Sequence, residues 1–211
     1  VVRRCPNETQ KLAVVFSGLG HHNNMQFSLY RSAGALLETH HIMHVRDLDR
    51  SWYTDTEKYT ALIRSVQERF GAAQLHFIGQ SMGGYAALRL GNLMTVDSIL
   101  TFSPQTAIGR EARRRMHDTR FETDLARLKN RVDVTATSVT THIVCASNSE
   151  IDRLHAQAVR GASVETVDVP EDAIYNGGHR LVLFLAHQKR LDSLLVSHVK
   201  SEPSHPKQLN C

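Results

Sequence analysis

No two of the three cysteines stand near one another. Cys5, Cys145 and Cys211 offer neither a C-x-x-C pair for a metal nor an even set for a disulfide framework. That excludes a zinc ribbon and a small disulfide-stapled scaffold, and it suits a reducing compartment, so a cytoplasmic location is the expectation. Cys145, inside the apolar run HIVCAS, reads as a small buried thiol. Long hydrophobic stretches are also missing. Nothing approaches the roughly 20 apolar residues needed to span a bilayer, and the opening VVRRCPNETQ has no apolar core of a signal peptide. The chain opens without a methionine, so a removed targeting segment stays open.

What is present is ordinary for one globular domain: 211 residues with 41% hydrophobic content and a net charge of +4. The densest basic cluster, GREARRR, holds Arg110, Arg113, Arg114 and Arg115 without interleaved aromatics. It reads as a solvated helix face, and no nucleic-acid partner is expected.

Short apolar runs alternate with longer helical patterns. Strand candidates are 11–18, 40–47, 75–80, 98–104, 141–147 and 163–170. Helix candidates are 25–38, 54–70, 82–91, 152–161 with Gly161 as terminator, and 179–199. This order predicts an α/β fold, a mostly parallel sheet with helices on both faces. The long interval 105–140 exceeds a simple connection and predicts a helical crossover enlarged into a small cap. A single domain over 1–199 is expected, followed by a disordered tail over 200–211.

The sharpest local signal is GQSMGG at 79–84, between the strand pattern LHFI and the helical run YAALRL. A strand, then G-x-S-x-G, then a helix is the context of a nucleophile elbow, which makes Ser81 the candidate nucleophile. A glycine-rich strand-to-helix turn with a serine cap would look the same in isolation. Two backbone donors are needed for an oxyanion; Met82 follows the serine, and Leu19, in VVFSGLG, ends an earlier strand. His21 and His22 follow and are candidate pocket residues.

A general base belongs on a loop after the last strand, and of the thirteen histidines only His179, in NGGH, is so placed. The acid should follow the penultimate strand. Asp152 is preferred and Glu150 is the alternative, although Asp152 could equally cap a helix. His40, His41 and His44 alternate along a strand and lack metal-ligand spacing, so no metal is expected. Trp52, Tyr53, Tyr85 and Phe102 are read first as packing.

Together FSGLG, GQSMGG, an acid after THIVCAS and the histidine of NGGH, in that order, resemble the α/β-hydrolase superfamily over about residues 11–199. HVRDLDRSWY, LTFSPQT and EIDRLHA also resemble a group of small bacterial members met beside polysaccharide biosynthesis. The resemblance implies Ser81 as nucleophile, His179 as base and then acid, and no cofactor. It implies a carboxylic ester or thioester substrate, small or carbohydrate-linked. Ser17 stands where many members have histidine. An acyltransferase with the same residues, and a binding protein that kept the fold without catalysis, are the alternatives.

Overall fold

The structure is a computed structural model that describes residues 1–19, 28–171, 173–175 and 178–200. His21, His22, the start of the helix expected from 25, the first two residues of NGGH and the tail from 201 lie outside the described residues.

Among the described residues seven strands form one sheet: β1 (Val2–Arg3), β2 (Lys11–Phe16), β3 (His41–Val45), β4 (Gln74–Gln80), β5 (Ser98–Phe102), β6 (Ala136–Ala146) and β7 (Arg160–Val167). Their order is β1-β3-β2-β4-β5-β6-β7, all parallel except the short β1 at the edge. The chain winds outward from β2 to β3, then returns to β4 and proceeds the other way. Adjacent loops after β2 and β4 therefore diverge, which opens a crevice at the carboxyl ends of these two strands.

Alternation along the strands explains why both faces are covered. Leu12, Val14 and Phe16 of β2 enter one core with Phe77 and with Tyr59 and Ile63 of α2 (Thr56–Phe70) and Ala86 of α3 (Met82–Gly91). Ala13 and Val15 enter the other, with Leu29 on the helix Ser28–Ser32, Leu181 and Leu185 on Leu181–His187, and Leu195 on Leu191–Lys200. In chain order these three helices are α1, α7 and α8. Each buried aliphatic side chain contributes roughly 1.5–3 kcal/mol. Local chemistry sets the ends of α2: the Asp55 carboxylate accepts from Lys58 N–H at 3.1 Å, and Gly71 closes the helix at φ 58°.

Four departures from the sequence pattern have physical causes. The single helix expected over 179–199 is two, α7 and α8, because Lys189 takes φ 56° and Arg190 N–H reaches back to Leu185 O at 2.9 Å. Gly161 does not terminate a helix: α6 (Glu150–Gln157) ends earlier, and Gly161 sits in β7 at φ 85°. A side chain there would meet Thr137 O, beside a register shift between β6 and β7. β6 begins five residues before the expected Thr141, and β1 has no counterpart among the strand candidates.

The interval 105–140 contains two short helices, α4 (Arg110–Arg115) and α5 (Glu122–Ala126), before β6 begins. Tyr85 Oη donates to Val132 O at 2.8 Å, and Asp133 Oδ1 accepts from the N–H groups of Ile108 and Gly109, which ties the insertion to α3 and to itself. Trp52, Tyr53, Tyr85 and Phe102 are all fully buried. Tyr53 donates to Ser17 O, and Asp47 gathers Ser51 Oγ–H, Tyr53 N–H and Tyr59 Oη–H, so RDLDRSWY anchors the loop after β3 against the end of β2. No helix among the described residues is long and apolar enough to cross a membrane.

Candidate active site

Ser81 stands at the turn from β4 into α3 with φ 55° and ψ −120°. This is a backbone region that disfavours any side chain, and it persists because the surroundings determine it. Ser81 N–H donates to Phe102 O at 3.0 Å, and Ser81 O accepts from Tyr85 N–H at 3.0 Å. The flanking glycines are sterically required: a Cβ on Gly79 would lie 2.1 Å from Gly83 O, and one on Gly83 would lie 2.3 Å from Phe16 O. Ser81→Gly is expected to raise the thermal midpoint. It relieves strain of roughly 1–3 kcal/mol against an entropic cost of roughly 0.5–1 kcal/mol for the new glycine. A lower midpoint in a melting experiment would contradict that balance.

Ser81 Oγ lies 3.1 Å from His179 Nε2 and 3.3 Å from Gln105 Oε1. His179 comes from the turn just before α7, and its Nδ1 lies 2.9 Å from Asp152 Oδ2 and 3.1 Å from Oδ1. Asp152 projects from the first turn of α6 (Glu150–Gln157) and is completely buried. An ionised carboxylate only accepts, so Nδ1 carries the proton and Nε2 presents its lone pair to the serine hydroxyl. Burial alone would raise the Asp152 carboxyl; the hydrogen bond from His179 and the charge and hydrogen bond of Arg120 outweigh it and hold it well below the usual carboxylate range.

The structure thus brings together Ser81, His179 and Asp152, and it leaves Glu150 exposed on the outer side of α6. Met82 opens α3 directly after the serine, where first-turn N–H groups have no intrahelical partner. Leu19 follows Gly18, whose Cβ position lies 3.2 Å from Gln80 O and 3.6 Å from Ser81 Cβ. The end of β2 therefore abuts the elbow. Beside it, a cavity of about 540 Å³ reaches Gly18 and Gln80 and is walled largely by apolar side chains such as Leu29, Met43 and Leu62.

One neighbour of Asp152 belongs to none of the sequence motifs. Arg120, in the insertion, donates from Nη1 to Asp152 Oδ1 at 2.7 Å. Nor is GREARRR wholly a solvated face: Arg110, Arg114 and Arg115 are exposed, but Arg113 is buried and pairs with Asp118 at 3.3 Å. The signal for this is R-x-x-x-x-D-x-R, Arg113 to Arg120, in which basic residues flank a lone acid. Cys145 is buried, and burial pushes its thiol up to about 11, as expected for an inert packing group. Among the described residues no group of three or more His, Cys, Asp or Glu side chains is arranged to hold a metal.

No protein-family model and no curated protein sequence matches the chain. Solved structures do. Est1E from Butyrivibrio proteoclasticus, solved with ferulic acid bound, superposes with a TM-score of 0.64 at 10% identity, covering 94% of this chain and 94% of that one. An enol-lactonase from Burkholderia xenovorans LB400 gives 0.63 at 13% identity, covering 94% and 95%. The chain has the α/β-hydrolase fold. A further α/β-hydrolase, an alpha-beta serine hydrolase homologue from Coxiella burnetii, gives 0.57 at 15% identity, covering 92% and 89%. At such identities the likeness speaks for the fold, and the α/β-hydrolase chemistry has to be argued from the side chains.

Proposed function

We propose that this protein is a serine hydrolase that cleaves a carboxylic ester or thioester through an acyl-enzyme on Ser81. The observation that carries the reading is the unbroken row from Ser81 Oγ through His179 to the buried Asp152, with contacts of 3.1 and 2.9 Å. Nε2 takes the hydroxyl proton as Oγ attacks the carbonyl carbon. Asp152 holds the proton-bearing Nδ1 and stabilises the imidazolium that forms. The N–H groups of Leu19 and Met82 receive the developing oxyanion. The imidazolium then protonates the leaving alcohol or thiol, and water, deprotonated by the same nitrogen, releases the acid and restores Ser81.

The apolar cavity reaching Gly18 and Gln80 is the natural seat for the acyl group. A structural neighbour named as an enol-lactonase, a name that denotes an oxygen ester, favours the same substrate class. A fluorophosphonate probe tests the reading. The wild type is expected to be labelled and Ser81→Ala to be unlabelled; a wild type that resists labelling would sink it.

A further inference from the structure

We propose that Arg120, backed by Asp118, is a positioning residue that sets the Asp152–His179 geometry; the proposal rests on the serine-hydrolase reading above. Among the described residues, the Asp152 carboxylate takes hydrogen bonds from two side chains alone, His179 and Arg120. Arg120 occupies Oδ1 at 2.7 Å, and Oδ2 is left as the nearer partner of His179 Nδ1 at 2.9 Å. Arg120 Nη1 also lies 3.3 Å from that Nδ1. A guanidinium has only donors, so it cannot receive the imidazole proton; the two donors meet the carboxylate from adjacent directions and fix its rotation.

The other edge of the guanidinium is fixed in turn. Arg120 Nε and Nη2 lie 2.9 and 3.2 Å from Asp118 Oδ1 and Oδ2, a two-pronged contact that a lysine could not make. Asp118 has no exposed side-chain surface and also accepts from Arg113 Nη1 at 3.3 Å, Arg120 N–H at 2.9 Å and His155 Nε2 at 2.9 Å. His155 Nδ1 accepts from Ala107 N–H at 3.2 Å, so Nε2 is the protonated nitrogen and the neutral ring suffices. Burial opposes ionisation of Asp118, and these donors outweigh it, holding the carboxyl well below its usual range.

Asp152 and His155 are three apart on α6 and share a face. The segment 118–120 grips that face twice, Arg120 at Asp152 and Asp118 at His155. The insertion therefore reaches the acid of the row through one cation whose own charge is balanced on its far side. Without it, Asp152 would be a buried anion with a single neutral partner, free to turn and to let the imidazole drift.

The test is steady-state kinetics on a p-nitrophenyl ester together with the rate of fluorophosphonate labelling. Arg120→Met is expected to lower kcat and the labelling rate by roughly 100-fold, the scale of a misplacement of about 1 Å, with KM changed less than about threefold. Arg120→Lys is expected to recover about tenfold of the lost kcat, as the charge returns without the fork. Asp118→Asn should lower kcat by a smaller factor. Where Arg120→Met fails to fold, Arg120→Gln replaces it under the same criterion. A wild-type kcat and labelling rate in the folded variant overturns the proposal, and so does a loss confined to KM. If the wild type itself neither labels nor turns over ester, it is the serine-hydrolase reading that has failed.

Discussion

His179→Ala is expected to lower kcat/KM on an activated ester by roughly four to six orders of magnitude while the thermal midpoint moves little. The size follows from position: Nε2 is the only ring nitrogen within hydrogen-bond reach of Ser81 Oγ among the described residues, and Gln105 Oε1, the other neighbour at 3.3 Å, is an amide oxygen of negligible basicity. Tolerance of the fold follows from the surroundings. The His179 side chain is about 12% exposed, it sits in a turn, and its removal leaves Asp152 still paired with Arg120. Asp152→Asn should cost roughly 10⁴ in kcat, because an amide can present its NH₂ to Nδ1 and so favour the tautomer whose Nε2–H faces the serine. Measuring kcat/KM alongside melting curves separates the two effects. A His179→Ala enzyme within tenfold of wild type would remove the imidazole from the reaction.

The elements that local chemistry specifies were the ones readable in the chain. The span of α2 and α3 follows from Asp55, Gly71 and the elbow glycines, and the strand positions follow from runs of β-branched and aromatic residues bounded by turns. Ser81, His179 and Asp152 are recognisable because each stands where a strand has ended and a helix begins, at its first turn or within two residues of it, so the order of elements carries their proximity. Arg120 is not, because its role depends on how an insertion folds back across the sheet edge, and no local period encodes that. The same holds for Arg113, which is buried against Asp118 while Arg110, Arg114 and Arg115 around it are solvated. The break at Lys189 was hidden because a left-handed turn there uses a residue that ordinarily favours helix.

Acidification from pH 7 to pH 5 is expected to lower the urea midpoint sharply, through histidines at the end of the sheet opposite Ser81. His40 and His198 are almost fully buried, and each has an Nε2 without a hydrogen-bond partner. Burial, reinforced by neighbouring histidines and, for His40, by Lys11, depresses both to about 4 from the ordinary 6.5. The sign follows directly: the unfolded chain takes up these protons as pH falls through 6.5 and the native state does not, so stability is lost between pH 6.5 and 4 and the penalty is constant below. Between pH 6.5 and pH 5 the depression removes roughly 2 kcal/mol for each group, a large share of the roughly 5–15 kcal/mol that usually separates native from unfolded states. Asp118 and Asp152 do not account for this window, because carboxyls held below their ordinary range lose their stabilising effect only as pH falls below about 4. His40→Gln with His198→Gln should reduce the dependence between pH 7 and 5, and the remainder belongs chiefly to His44, which burial likewise depresses to about 4. A midpoint already constant over that interval in the wild type would mean that the native state accommodates the charged rings, by water entry or local opening around them.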